Sequence, residues 1–202
     1  MKSVVRTAAL AVFGAMMVPS APVVAQGYVA NAPDPYVHKS VGVGMPGEVA
    51  GLSRKQVAEY DAEGSDAAAS YFAQDGVSRF TLYIYPARGD TCKGTFDAAK
   101  AAIDEHSGAK LQKNARAIRL NTFAGSEQHS AQYAIAADSY GSPHPRLQSQ
   151  LWIGCVPGGQ WFVKYRGSYV ADDSSFEDIA ERFLNGFDWS PLLDTHGDHS
   201  AH

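Results

Sequence analysis

The chain has 202 residues, 45% hydrophobic and 19% charged, with two cysteines and a formal net charge of −4. That length fits one domain with a sizeable core. The acidic balance argues against nucleic acid or anionic lipid as the main partner.

The first 25 residues read as a signal peptide. Lys2 and Arg6 form its charged start, and Ala8 to Val18 an apolar stretch too short to span a bilayer. Val23-Val24-Ala25 supplies the small residues of a cleavage site, so cleavage is predicted after Ala25. Removing Lys2 and Arg6 makes the remaining chain more acidic still. No later apolar run approaches the ~18–20 residues of a membrane helix. The expectation is therefore a periplasmic or secreted chain without membrane insertion.

Residues 26–45, rich in Gly, Pro, Ala and Val, read as a flexible leader. The stretch Gly42-Val43-Gly44-Met45-Pro46-Gly47 matches a dinucleotide-binding glycine pattern as text only. Pro46 interrupts it, and no strand–helix–strand unit surrounds it. A single domain is expected over residues 46–189.

Within that domain, Leu52 to Asp61 reads as a first strand, and Ala67 to Gln74 as a second strand or a helix. The turn dipeptide Asp75-Gly76 makes a hairpin of Ala67–Gln74 and Val77–Pro86. Phe80, Leu82 and Ile84 face one way along the latter, Thr81, Tyr83 and Tyr85 the other. Thr95 can cap a helix reaching Ser107, with Phe96, Ala99, Ala102, Ile103 and His106 on one face. The basic stretch Lys110 to Arg119 follows, suited either to an anionic partner or to a strand edge protected from aggregation. Glu127 to Asp138 reads as a strand with His129, Ala131, Tyr133, Ile135 and Ala137 on one face.

The strongest pattern is RLQSQLWIGCVPGGQWFVKYRGSY, Arg146 to Tyr169. Two alternating runs flank Pro157-Gly158-Gly159-Gln160, which is the signature of an antiparallel hairpin. Leu147, Leu151, Ile153 and Cys155 share one face of its first strand. Trp161, Val163, Tyr165 and Tyr169 share one face of the second, with Lys164 and Arg166 opposite. A final helix is expected from Asp172, Asp173 and Ser174, with Phe176, Ile179, Ala180, Phe183 and Leu184 at helical spacing and Gly186 as its stop. The expected architecture is α+β: a single antiparallel sheet of about five to seven strands packed by two amphipathic helices.

Cys92 and Cys155, in an exported chain, are expected to form a disulfide closing a loop of roughly 60 residues. Two free thiols or ligation of a metal by the pair are the alternatives. Residues 190–202 read as a disordered tail in which His196, His199 and His202, flanked by Asp194 and Asp198, offer weak binding to a divalent Zn, Cu or Ni ion. His106 and His129 read as packing residues and His144 as a turn residue. No nucleophile elbow, zinc-protease motif or phosphate-binding loop occurs, so no catalytic residue and no further cofactor is assigned. Tyr83, Tyr85, Tyr133, Trp152, Trp161, Tyr165 and Tyr169 all lie on expected strands, as a ligand groove or as packing.

The pattern Pro46, Gly51-Leu52-Ser53-Arg54, Tyr60-Asp61, Ser70-Tyr71 and Phe80-Thr81-Leu82-Tyr83-Ile84-Tyr85-Pro86 resembles exported bacterial proteins similar to the PsbP/Mog1-like α+β domains. That resemblance covers about Pro46 to Trp189, implies a binding or accessory role, and carries over no functional residue. The functional expectation is an exported non-enzymatic domain that binds an unknown protein or small-molecule partner. The alternatives are metal binding through the histidine tail and an unrecognised hydrolase.

Overall fold

Why the Arg146–Tyr169 stretch dominates the fold is visible in its strands: the first is buried on nearly its whole length, and the second buries Val163, Tyr165 and Tyr169 on one face while Lys164, Arg166 and Ser168 stay partly exposed on the other. The computed structural model describes residues 27–105, 108–136 and 146–194. The expected signal peptide, His106, His144 and the tail residues His196, His199 and His202 lie outside the described residues. In chain order the strands are β1 (Gly27–Tyr28), β2 (Tyr36–Val37), β3 (Gly44–Met45), β4 (Glu48–Val49), β5 (Leu52–Glu59), β6 (Ala67–Phe72) and β7 (Arg79–Pro86). Helix α1 (Cys92–Asp104) follows, then β8 (Ala109–Leu111), β9 (Gln128–Ile135), β10 (Leu147–Cys155) and β11 (Trp161–Val170). Two short helices, α2 (Ile179–Leu184) and α3 (Ser190–Asp194), close the described chain.

The main sheet runs in the order β1-β5-β6-β7-β11-β10-β9-β8, with β4 beside β5, and all its pairings are antiparallel. Two consecutive meanders, β5 to β7 and β8 to β11, thus meet where β7 pairs with β11. Helix α1 is the link between them. The β6–β7 turn is fixed by Asp75, whose carboxylate accepts from the N–H groups of Val77 (2.9 Å) and Ser78 (2.8 Å) and from the Ser78 hydroxyl (2.6 Å). Gly76 supplies the positive φ of 69° that this turn requires.

One face of the sheet is fully covered. Phe80, Trp152, Tyr165 and Tyr169 from the strands meet Phe176, Phe183, Phe187 and Trp189 from the C-terminal segment, and all are buried. Val41, Val43 and Met45 from the segment before β4 join the same core. Gly167 sits where a Cβ would collide with the Tyr165 ring, so a glycine is what lets that ring lie flat across β11. The second face is covered mainly over β8, β9 and β10, where Phe96 and Ile103 of α1 pack on Tyr133, Ile135, Leu151 and Ile153, and Phe162 at the start of β11 joins the same cluster. The disulfide Cys92–Cys155, with Cα atoms 5.9 Å apart, pins the first turn of α1 to the end of β10.

The expected five-to-seven-strand sheet packed by two amphipathic helices is corrected: the sheet has nine strands, and the described chain is mainly sheet with three short helices. The extra strands β1, β4 and β8 hold only two or three residues, too few to show a period-two pattern. The long final helix is also replaced. Asp173 accepts from the Ser175 N–H (2.9 Å) and tightens Ser174–Phe176 into a 3-10 turn, and helix resumes only at Ile179. Its apolar residues still reach the core, because the broken segment keeps Phe176, Ile179, Ala180, Phe183 and Leu184 on one side. Helix α1 begins one turn earlier than expected, with Thr91 rather than Thr95 as the cap.

Candidate functional site

The half of the second face that α1 leaves uncovered is the candidate site. Its floor is set by strand register. Lys164 of β11 lies opposite Tyr83 of β7, Arg166 opposite Thr81, and Ser168 opposite Arg79. On the other side of β7, Ala68, Ser70 and Phe72 of β6 face Tyr83, Thr81 and Arg79 in turn. Because side chains alternate, all nine residues point to the same side as the α1 packing surface. The floor is therefore an apolar-to-basic strip beside the helix.

Two adjoining depressions share Tyr83 along this strip. The first, about 510 Å³, runs under the flank of α1 and is lined by Tyr60, Asp66, Tyr83, Tyr85, Asp90 and Lys164, with Gly94, Thr95, Ala98 and Ala99 on its helical wall. The second, about 550 Å³, extends past Thr81 to Arg79, Arg166 and Ser168. Both are open to solvent along the sheet.

Lys164 is the electrostatic centre. Its Nζ lies 4.1 Å from the centroid of the Tyr83 ring and 5.5 Å from that of Tyr85, within cation–π range of both. Burial pushes its amine pKa down, the nearby Arg166 pushes the same way, and Asp66 opposes them. No carboxylate among the described residues forms an ion pair with it. Asp66 responds in the complementary direction: burial raises its pKa, Asp61 adds to the rise, and Arg88 and Lys164 counter it. Burial also raises the pKa of Tyr85 and Tyr60. On the helical wall, the Thr95 hydroxyl oxygen is buried without a hydrogen-bond partner among the described residues. At the far end Arg79 is held over the Phe72 ring (5.5 Å) and donates to the Ser70 hydroxyl (3.3 Å).

Such a surface can hold a ligand that brings an anionic group to Lys164 and a flat or apolar body to the tyrosines. The aromatic residues noted in the sequence divide sharply. Tyr133, Trp152, Tyr165 and Tyr169 are buried packing residues; Tyr83 and Tyr85 alone among those seven line the depression. Trp161 closes over His38 instead, edge to face at 5.7 Å. His129 stacks on Phe96 (5.2 Å) and pairs with Glu127 through Nε2–Oε1 at 2.6 Å. A histidine, a carboxylate and a sulfur do meet there, but the Cys92 sulfur is in the disulfide and is no nucleophile in that state.

Two residues of this region were not singled out from sequence. Asp66 lies in a polar turn without pattern, and Thr95 reads as a cap. His38 was also missed. It is fully buried, accepts at Nδ1 from the Ser40 N–H (3.4 Å) and lies with Nε2 3.2 Å from the Ile84 carbonyl. No described helix is long and apolar enough to cross a membrane. Compared with protein-family models and with curated proteins, the chain matches none.

Proposed function

We propose that this is an exported, non-enzymatic binding or accessory domain whose ligand lies across the uncovered half of the sheet. That reading agrees with what the PsbP/Mog1-like resemblance implies. The observation that carries it is Lys164: a half-buried cation on two tyrosine rings, facing an open depression in which Asp66 acts on it from a distance and no carboxylate among the described residues forms an ion pair with it. Holding a cation partly desolvated and unpaired works against stability, and a bound anion would recover that interaction. The ligand class that fits is a small molecule, or an exposed segment of a partner, with a carboxylate, sulfonate or phosphate beside an aromatic or apolar group.

The test uses 8-anilinonaphthalene-1-sulfonate, an anionic aromatic probe, titrated by fluorescence into the full chain. Saturable binding is expected, weakened at least ~10-fold by Lys164→Met and by Tyr83→Ala. Native mass spectrometry and crosslinking of the purified chain would then identify what is retained. Probe binding indifferent to both substitutions, with nothing retained, sinks the proposal.

A further inference from the structure

At the opposite flank of α1 stands a second cluster that the binding reading does not use. Cys92, Glu127 and His129 bring a sulfur, a carboxylate oxygen and a ring nitrogen within 4.8 Å of one another. Cys155 lies next to this group through the bond of its sulfur to that of Cys92, and reduction would free it as a fourth donor. We infer that these four side chains form a redox-gated site for a zinc-type cation, open only when the disulfide is reduced.

The fold holds the four in place independently of any cation. Cys92 is the first residue of α1, behind Thr91, whose hydroxyl accepts from the Gly94 N–H at 3.1 Å. The Glu127 carbonyl accepts from the Cys155 N–H (3.0 Å), and the Cys92 sulfur lies 3.6 Å from the same oxygen. His129 is two residues further along the chain, so its side chain projects to the same side as that of Glu127. Stacking on Phe96, one turn into α1, fixes the imidazole plane. The Glu127 side chain is 54% exposed and that of His129 25%, which leaves a path for an ion from solvent.

In the oxidised chain neither sulfur carries charge to offer a cation. Reduction transfers two electrons and two protons from a dithiol donor, which leaves as its own disulfide, and frees two thiols. A divalent cation then displaces both thiol protons to solvent and binds two thiolates, one imidazole and one carboxylate. That set suits tetrahedral zinc. The Cys92 thiolate forms at the positive end of a 13-residue helix, which favours the charge. Tetrahedral zinc sets neighbouring donors about 3.3–3.8 Å apart, so on reduction the two sulfurs part and the Glu127–His129 pair opens while the Cys92 sulfur draws toward them, side-chain shifts on the order of 1–2 Å. The cation then replaces the disulfide as the link between α1 and the sheet.

The experiment loads the full chain with Zn²⁺ in two states, disulfide intact and disulfide reduced by a phosphine. The phosphine takes oxygen from water to become its oxide while the two sulfurs gain the hydrogens. Competition with the chelator 4-(2-pyridylazo)resorcinol counts the bound zinc. The expected result is one more Zn²⁺ per chain in the reduced state; the tail histidines count equally in both. Zinc should also shield both thiols from iodoacetamide, and His129→Ala should weaken the extra ion by about 10-fold or more. Should reduction abolish the near-ultraviolet signal of the buried Trp152 and Trp189, its recovery on adding zinc supports the site, and its failure to recover overturns it. Equal zinc in the two states, or an extra ion indifferent to His129→Ala, also overturns it.

Discussion

The two faces of the sheet are made by the same strands and differ in what crosses them. On one face the segment before β4 and the chain from Ser174 to Leu192 close over the strands, and large aromatic rings fill the space. On the other, α1 spans β8 to β10 and stops, leaving β6, β7 and β11 with Tyr83, Lys164, Thr81, Arg166 and Arg79. A closed face spends its side chains on mutual packing. A half-covered face keeps some of them partly solvated, Lys164 among them, and that is where a ligand can act.

The contrast is broken most severely on the closed face. Phe183 is fully buried, with ring centroids at 5.1 Å from Tyr71, 5.6 Å from Tyr165 and 5.1 Å from Phe187. Phe183→Ala should cost about 3–5 kcal/mol in denaturant unfolding, through lost contacts and a cavity its rigid neighbours cannot fill. Tyr83→Ala, the matching truncation on the open side, should cost about 1 kcal/mol, since its side chain is only partly buried in the native state. Comparable losses at the two positions would mean that the faces do not differ as described.

Next in size is the tie that keeps α1 on its half of the second face. The disulfide joins residues 63 apart, and removing it with reductant or Cys155→Ala should lower stability by about 2–4 kcal/mol. Thermal melting of the metal-free chain with and without reductant checks this. An unchanged melt would show that α1 is held by Phe96 and Ile103 alone.

How much of this was legible beforehand follows from strand length and burial. The β10–β11 hairpin and strand β7 were readable because their strands run eight to ten residues around Asp-Gly and Pro-Gly-Gly turns, while the alanines of β6 suited a helix as well and only the Asp-Gly turn spoke for a hairpin. The face of β11 carrying Lys164 and Arg166 was readable for the same reason, and so was the cysteine pairing. Strands β1, β4 and β8 were not, because two or three residues carry no period. Nor was the burial of Val41, Val43 and Met45, which β2 and β3 place on the core by a tight turn among prolines and glycines. For the candidate site, the sequence offered seven aromatic residues without saying which were packed. That decision depends on where α1 stops, which is a tertiary fact.

A smaller effect separates the faces by pH. His38 is buried, and that burial lowers its pKa; hydrogen bonding to the Ile84 and Ser65 backbone and the charges of Asp61 and Glu59 counter it only in part. Its neutral form is therefore the folded one. As pH falls below the ordinary histidine value of about 6.5, the unfolded chain takes up a proton that the folded chain resists. Stability is fully present above that value and declines as pH falls through the lowered one. Melting temperature against pH should show this decline in the parent chain and a flatter profile in His38→Gln. Parallel profiles would remove His38 from the account.

The smallest change in stability should come from the residue that matters most for binding. Lys164→Met keeps the apolar stem over Tyr83, removes a partly desolvated charge, and gives up a cation–π contact worth about 0.5–2 kcal/mol. Since the two effects oppose, unfolding free energy should move by less than about 1 kcal/mol. Binding of the anilinonaphthalene sulfonate probe should fall at least ~10-fold in the same variant, and Lys164→Arg should restore part of it, because charge returns with a broader shape. A variant that loses stability and binding together would make Lys164 a structural residue of the sheet. One that keeps stability and loses the probe separates the two faces by function as well as by packing: the closed side holds the molecule together, and the open side holds something else.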